Sequence, residues 1–445
     1  MKRFIPRNIN WSVIRNQYPF PKGVTIDRLQ YVLGFLTSRV AFDREQNSEN
    51  PVPIHFDTMI KVITNFNIIK RYLLNSKILK TNGHYVVGKQ SIAYSFCEPY
   101  TGALQEVEIT DKRIIARHFK AYKKVAAKAT RRYGYLKKFF NAKLKIDYPA
   151  IEQELEIVFS DIPALFEVDL KKPRALLMSA SMIHNKEFYF SVGNTSSNRL
   201  YTNLSNLKKN ARGYLSYDGA SLSAADLSAS QPFLLGAFLK NKMYDPDNDF
   251  IKRALKSCTA KVRHMIMDSF KELQSSYQCG NDLDLYIKLV QQKGFYEFFQ
   301  VELNKILVLQ NMPTIVNRDV IKKEMIIFFY CKNHSNGISD YRRYLKQIFK
   351  KHFPSVYRAI FLLKDKNHTS FSILLQCLER YLFLDLICPE LHALGVEPIF
   401  TIHDCAISLK DNISLVKSVC DRIILENTGI QPNIKIENFE RGKLF

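Results

Sequence analysis

The sequence has few cysteines, glycines and prolines for its 445 residues, and each shortage excludes a class of protein. Its eight cysteines are scattered without a Cys-x-x-Cys pair, which argues against a zinc ribbon or a disulfide framework and predicts a reduced, cytoplasmic protein. Sixteen glycines and sixteen prolines exclude a collagen-like or linker-rich chain. No apolar run reaches the roughly 18 residues of a membrane-spanning helix, so we expect no membrane partner.

Positive charge, in contrast, is abundant. Sixty-five Lys and Arg against 42 Asp and Glu give a net charge of +23, which favours a polyanionic partner such as nucleic acid over mere adhesion to acidic surfaces. Between residues 111 and 145 thirteen basic residues, interleaved with aromatic ones, accompany a single acid. We predict a basic helix here that contacts phosphates through residues such as Lys123, Lys124, Arg131 and Arg132, the alternative being a solvated charged face.

The first 110 residues predict a small, mostly helical accessory domain. Apolar residues between His55 and Leu74 have helical spacing, and the turn residues Asn82 and Gly83 punctuate β-prone runs over residues 78–96. A helix followed by a basic hairpin is typical of a winged-helix element, although a purely structural hairpin fits the same pattern.

Two aspartates are predicted at strand ends in the C-terminal half. Residues 217–239 indicate a turn, a strand ending at Asp226 and a helix beginning near Gln231. Residues 396–409 indicate two apolar strands around His403 and Asp404, without the Gly or Asn neighbour that a tight turn favours. Two aspartates on adjacent strands are suited to bind two Mg²⁺ ions and to clamp the oxygens of a phosphoryl transfer.

A helix predicted over residues 317–331 offers a binding surface for a triphosphate. Arg318 and Lys322 are four residues apart and therefore share one face. Tyr330 lies eight residues beyond Lys322, about 12 Å along the helix axis, which is about the reach from a nucleotide's phosphates to its base.

The ordered set of these motifs resembles the signature motifs of the family-A nucleic acid polymerases, which include repair and phage DNA polymerases and the phage-type single-subunit RNA polymerases. The three central matches are Asp226-Leu227-Ser228 with Gln231, Arg318-x3-Lys322-x7-Tyr330, and Ile402-His403-Asp404. Two further segments are similar to family motifs that contact primer and template: Asn198-Arg199-Leu200 with Asn203 to Asn206, and Leu374 to Glu379. The resemblance covers about residues 190–445.

This resemblance implies a mixed α/β fold arranged as a right hand. Residues 191–445 would form palm and fingers, residues 111–190 a basic thumb-like region, and residues 1–110 the accessory domain. Asp226, Asp404 and the backbone carbonyl of Leu227 would hold two Mg²⁺ ions, with Mn²⁺ as a substitute. The nucleoside triphosphate would contact Arg318, Lys322, Ile326, Tyr330 and Gln231. The DNA primer–template would contact Arg199, Asn206, Gln376 and His403.

The sequence also departs from the family pattern. Asn198 and Cys331 replace glycines, and Cys405 follows the second aspartate where DNA polymerases carry Glu and RNA polymerases carry Ser. Gln231 occupies the position of a Glu that, in the DNA polymerases, fills the space of a ribose 2′-OH. Because Gln has nearly the same volume, we predict a preference for dNTPs with some leakage of ribonucleotides. The spacings around Lys322 fit neither branch well, so the fingers are expected to be unusual.

Three functions are therefore weighed. The first is a template-directed DNA polymerase that adds dNTPs to a 3′-OH by two-metal transfer, acting in a bacterial or phage-infected cell. It would have no proofreading exonuclease, since the Asp43-Arg44-Glu45 motif has no later partner motif. The second is an RNA polymerase or primase on the same scaffold, and the third is a non-catalytic nucleic-acid-binding protein of polymerase shape.

Overall fold

The computed structural model describes residues 1–42, 51–83, 91–100, 103–160, 171–193, 197–292, 294–333 and 339–444, so the Asp43-Arg44-Glu45 motif lies outside the described residues. Helices and short strands are mixed along the chain, which confirms the predicted mixed α/β class. Within these ranges no helix is both long and apolar enough to cross a membrane.

The helices and strands are numbered in chain order. The α-helices are α1 (Trp11–Gln17), α2 (Ile26–Phe42), α3 (Phe56–Ile60), α4 (Phe66–Asn75), α5 (Lys112–Lys137), α6 (Tyr148–Ser160), α7 (Lys171–His184), α8 (Asn203–Asn206), α9 (Ser230–Lys240), α10 (Asp249–Leu255), α11 (Ala260–Ser276), α12 (Asp282–Gln291), α13 (Phe295–Leu309), α14 (Arg318–Tyr330), α15 (Asp340–His352), α16 (Pro354–Lys364), α17 (Thr369–Arg380), α18 (Cys388–Ala393) and α19 (Ile413–Thr428). The strands are β1 (Lys2–Pro6), β2 (Val52–Pro53), β3 (Leu79–Thr81), β4 (Ala93–Phe96), β5 (Leu104–Glu108), β6 (Leu144–Ile146), β7 (Phe190–Val192), β8 (Leu200–Thr202), β9 (Leu215–Tyr217), β10 (Ala220–Leu227), β11 (Phe400–Ile402), β12 (Cys405–Leu409) and β13 (Ile434–Asn438). A π-helix (Tyr381–Ile387) joins α17 to α18, and 3₁₀ turns span Lys209–Tyr214 and Lys410–Asn412.

The N-terminal part of the chain has a hydrophobic core of its own, built by residues between Ile5 and Ile114. The helix predicted over residues 55–74 is two helices, α3 and α4, which a turn over residues 61–65 separates; Asn65, whose backbone is non-helical (φ −101°, ψ 34°), directly precedes α4. β3 and β4 pair antiparallel, as the β-prone runs suggest, while residues 84–90 between them lie outside the described residues. The winged-helix assignment therefore stays a prediction.

The basic segment forms α5, which confirms the predicted basic helix; the helix is kinked at Tyr133, whose backbone is non-helical (φ −126°, ψ 31°). The Asp111 carboxylate accepts hydrogen bonds from the N–H groups of Arg113 and Ile114 and so caps its first turn. Ala126, Ala129 and other small or apolar residues are buried along one face. The lysines and arginines therefore occupy the outer face.

A second, larger core contains the main sheet. Its strand order is β11-β12-β10-β9-β6, and β13 pairs with the other edge of β10. Leu144 and Ile146 of β6 belong to this core together with Tyr217 and Phe400, so residues on the two sides of the predicted boundary at 190 pack together. The helices α9 to α18 lie between β10 and β11 in sequence, and they bring α14 and α17 against each other and α17 against α9.

Candidate active site

Asp226 and Asp404 occupy neighbouring backbone positions at one end of the main sheet. The N–H of Leu227 donates to the carbonyl oxygen of Asp404 at 3.0 Å, and Asp226 is opposite Cys405 in the register of β10 and β12. β10 is paired on both sides, with β12 and with β13, so its end is held rigidly. The structure thus brings together the two carboxylates that the sequence places on separate strands.

The two carboxylates disfavour each other's ionised form. Burial, followed by the negative charges of Asp404 and Glu437, raises the pKa of Asp226 from 3.8 to about 7. Burial, followed by the charge of Glu379, raises the pKa of Asp404 to about 7 as well. Lys322 opposes both shifts, but it does not cancel them. The pair therefore holds more negative charge at neutral pH than its surroundings neutralise.

A buried glutamate organises the polar groups beside this pair. Glu379 is 2% exposed and accepts hydrogen bonds from Arg199 (Nη2 to Oε1, 2.6 Å), Gln231 (Nε2 to Oε2, 2.6 Å) and Ser230 (Oγ to Oε2, 3.3 Å). Burial raises the pKa of Glu379, and the positive charge of Arg199 opposes that shift. The side chains of α9, α17 and the segment before β8 thus meet at one carboxylate.

The helix predicted to bind a triphosphate is α14, and its polar face turns toward the two aspartates. The Asn317 side chain caps its N-terminus by accepting from the N–H of Asp319. Arg318 pairs with Glu297 at 2.6 Å and lies 4.8 Å above the ring of Tyr296. Lys322 is exposed, and its charge acts on both aspartates.

The far end of α14 closes a narrow crevice against α9. Ile326 and Tyr330 line this crevice together with Pro232 and further apolar or aromatic residues, and Gln231 is the polar side chain among the residues that line it. Burial raises the pKa of Tyr330, whose hydroxyl is hydrogen-bonded to Gln376 of α17. The amide of Gln231, also at this crevice, donates to Glu379.

Left-handed backbone conformations cluster around the site. Asn198, Ala229 and His403 have φ values of 52°, 49° and 53° although none of them is glycine. Such residues cost of the order of 1–3 kcal/mol each, and Asn tolerates the conformation best, which accounts for Asn198 where the family pattern has Gly. The ring of His403 packs edge-on against Tyr201 at 5.9 Å between centroids.

Other predicted site residues lie away from the aspartates. Asn206 lies at the end of α8, where its carbonyl oxygen accepts from Ser179 at 3.5 Å. Lys123, Lys124 and Arg131 are exposed on α5. Arg132 instead pairs with Asp385 of the π-helix at 2.7 Å and fastens α5 to the larger core.

The donor set of the site fits a hard divalent cation. No group of three or more His, Cys, Asp or Glu side chains that could hold a metal occurs in the described ranges, but Mg²⁺ is commonly bound by one or two carboxylates together with water and substrate oxygens. The raised pKa values of Asp226 and Asp404 are those of carboxylates that lack a compensating charge. Cys405 is buried, and burial raises the pKa of its thiol, so it is a small core residue.

Glu379 is the main site residue that the sequence analysis gave no role. Its neighbours Leu374, Leu375 and Leu378 are all fully buried, and Glu379 follows Leu375 by four residues. Glu379 therefore lies on the apolar face of α17, where a charged side chain requires a partner. A Glu at an apolar position of the helical pattern is the sequence signal that could have identified this residue.

Comparison with known proteins gives little further guidance. No family model matches the chain, and no curated protein matches it. A solved structure that is similar is the POL domain of Pol1 from M. smegmatis in complex with DNA primer-template and dNTP, at 10% identity over 91% of this chain and 81% of that chain, with a TM-score of 0.31. A TM-score this low does not establish a shared fold, and the division into palm, fingers and thumb stays a prediction.

Proposed function

We propose that this chain is a template-directed DNA polymerase of the family-A type that lacks a proofreading exonuclease. The observation that carries the proposal is the pair formed by Asp226 and Asp404, which lie on adjacent backbone positions and share a raised pKa. A cationic helix face faces this pair, since Lys322 acts on both carboxylates. Converging acids opposite a cationic helix suit the transfer of a phosphoryl group.

Asp226 and Asp404, with the backbone carbonyl of Leu227, would hold Mg²⁺, with Mn²⁺ as a substitute. The bound ions would supply charge stabilisation for the attacking and leaving oxygens of the transfer. Lys322 would bind the triphosphate beside the carboxylates, and Arg318 would extend that contact once it exchanges Glu297 for a phosphate.

The crevice between α9 and α14 has a volume of only about 10 Å³, so it would have to widen to receive the base and sugar of the incoming nucleotide. Ile326 and Tyr330 offer it an apolar wall, and Gln231 limits the space beside the sugar. Arg199, His403 and Gln376 would contact the primer end and the template, with Asn206 farther away. The Nε atom of Arg199 is buried without a hydrogen-bond partner in the described part of the chain, which supports a ligand contact there.

One observation favours RNA synthesis as the second candidate. Glu379 holds the amide nitrogen of Gln231, and the Oε1 atom of Gln231 is buried without a hydrogen-bond partner among the described residues. That oxygen is placed to accept a hydrogen bond from a ribose 2′-OH, in which case Gln231 would be a ribose contact and not a barrier.

A four-way primer-extension assay tests the proposal. The full-length protein is incubated with Mg²⁺ and a primer on a DNA or an RNA template, with dNTPs or NTPs. We expect extension with dNTPs on DNA, and we expect Asp226→Asn and Asp404→Asn each to reduce it more than about a hundredfold. Asp218→Asn, in the exposed turn at the other end of β10, is the matched control and should extend normally. Extension that survives in both site variants would refute the assignment.

A further inference from the structure

A cavity of about 290 Å³ lies beside the N-terminal strand β1, whose Phe4 belongs to the larger core. It is bordered by α2, α5 and α7, and aromatic rings dominate its wall, among them Tyr31, Phe35, Phe119 and Tyr122. Its volume is at the lower end of the roughly 300–1,000 Å³ that small-ligand pockets occupy. The cavity therefore fits a flat ligand about as large as one nucleobase or nucleoside.

A hydrogen-bond relay at the cavity wall leaves one donor for a ligand. Arg3 Nη2 lies 3.3 Å from His118 Nε2, and the Tyr31 hydroxyl lies 3.1 Å from His118 Nδ1. Because Arg can only donate, His118 Nε2 must accept, so the ring proton is on Nδ1 and is donated to the Tyr31 oxygen. Burial and the charge of Arg3 lower the pKa of His118 to about 4, in keeping with a neutral ring. The Tyr31 hydroxyl proton is then left to meet an acceptor in the cavity.

Among the described residues, each charged side chain that lines the cavity has an opposite charge beside it, Lys2 being 3.6 Å from Glu106. Arg3 Nη1 donates to Glu187 Oε2 at 2.8 Å, and Glu187 also accepts from the backbone N–H of Lys2. An anionic phosphate therefore gains little by entering, whereas a neutral aromatic ring with an acceptor edge matches both the walls and the Tyr31 donor.

The surface at the opening is basic. Phe119 lines the cavity and is nevertheless 40% exposed, so it lies at the opening. Lys120, Lys123 and Lys124 follow it on the exposed face of α5. Aromatic rings that receive a base, next to cations that contact the backbone, are the combination with which proteins bind single-stranded nucleic acid.

The helix also connects the cavity to the candidate active site. Lys128 lies nine residues, about 14 Å, beyond Phe119 along α5, and its Nζ donates to Asn198 Oδ1 at 2.6 Å. Asn198 directly precedes Arg199, which is bonded to Glu379 beside the aspartates. Nine residues are about two and a half turns, so Lys128 lies on the opposite face of α5 from Phe119, and a nucleic-acid strand would have to cross the helix to pass from the cavity to this contact.

We propose that this cavity holds one unstacked base of a single-stranded nucleic acid whose backbone lies along α5. The base stacks on Phe119 and its neighbours, an acceptor on its edge takes the Tyr31 proton, and the lysines contact the flanking phosphates. This binding requires no nucleotide transfer, so it can be tested independently of the proposed polymerase activity.

Equilibrium binding with the full-length protein in EDTA tests the proposal. The probes are a fluorescein-labelled 12-nucleotide single strand, the same strand with an abasic position at each site in turn, and a hairpin duplex. Phe119→Ala should weaken single-strand binding about 5- to 100-fold and duplex binding less than twofold, because one base stack is lost. The matched control is Val125→Ala, which is 56% exposed on the same helix away from the cavity and should change neither.

Two further arms sharpen the result. For the wild type, one abasic position should reduce the affinity for the strand by about the same factor as the Phe119→Ala substitution does. The Phe119→Ala variant should bind the abasic strand and the intact strand equally well. Tyr31→Phe should weaken binding of the single strand several-fold. It also removes the acceptor of the His118 Nδ1–H and should lower the melting temperature, so binding is compared at a temperature at which both proteins are folded. Equal single-strand affinities in the Phe119 and Val125 variants would overturn the proposal. Tight binding of free adenosine that Phe119→Ala abolishes would also overturn it, because the occupant would then be a free nucleoside.

Discussion

Replacing Asp226 by Asn should stabilise the protein while it abolishes activity. The folded state raises the pKa of Asp226 from 3.8 to about 7, mainly through burial and the charge of Asp404. A folded pKa above the unfolded one means that the folded protein binds more protons between about pH 4 and pH 7. Stability therefore falls as the pH rises through this window, and the full penalty applies above it.

The size of the effect follows from the shift. One pKa unit corresponds to about 1.4 kcal/mol, so the charged Asp226 costs the folded state at most about 4 kcal/mol at pH 8 without metal. Because the carboxylate is partly exposed and solvent screens its charge, we expect about 1–3 kcal/mol. An uncharged Asn removes this cost, and the pKa of Asp404 falls with it.

Melting curves from pH 5 to pH 8 in EDTA measure the prediction. The Asp226→Asn variant should melt above the wild type by a margin that grows from pH 5 to pH 8, whereas Asp218→Asn should follow the wild type throughout. Adding Mg²⁺ at pH 8 should raise the melting temperature of the wild type but not that of the Asp226 variant, because only the wild type gains from binding the ion. A variant that melts at or below the wild type at pH 8 in EDTA would refute the electrostatic reasoning.

Two further changes test the basic helix and the sugar pocket. Replacing Lys123, Lys124 and Arg131 by Ala should weaken nucleic-acid binding alike on all sequences and reduce the slope of log affinity against log salt by about 2–3, as a titration from low to high salt would show. Arg132 is left intact because its salt bridge holds α5 in place, and an unchanged slope would mean that this face contacts only solvent. Gln231→Gly should raise NTP incorporation in primer extension without a comparable loss of dNTP use, and a wild type that prefers NTPs would instead identify Gln231 as a ribose contact.

Sequence reasoning located the elements that local signals define. Asp218 and Gly219 both have positive φ (53° and 85°), the conformation of a tight hairpin turn, and the turn fixes where β10 begins. Gly395, with φ 74°, directly follows Leu394, the C-cap residue of α18, and separates this helix from β11. Such signals depend on a few adjacent residues, so they are readable without the fold.

Contacts between distant segments were not readable in this way. Arg199 and Glu379 are 180 residues apart, and Arg132 and Asp385 are 253 residues apart. Arg132 looked like one more phosphate contact because its sequence neighbours are all basic or aromatic, yet its partner lies on the π-helix. Sequence spacing does not predict such pairs, because the long segments between the two residues allow many relative positions.

The buried Glu379 explains why the candidate site demands a cation. It adds a third negative charge next to two carboxylates that already repel each other, and its charge raises the pKa of Asp404. Glu379 accepts hydrogen bonds from three donors, including Arg199 and Gln231, and so fixes their orientation. Each hydrogen bond to a charged group contributes about 1.5–3 kcal/mol, which offsets the cost of burying the carboxylate. Arg199, Lys322 and Lys209 are among the bases that act on these acids, and they do not cancel the raised pKa values of Asp226 and Asp404. Glu379 thus orients the polar groups of the site and adds negative charge beside Asp226 and Asp404. A divalent cation bound by the two aspartates would balance this charge.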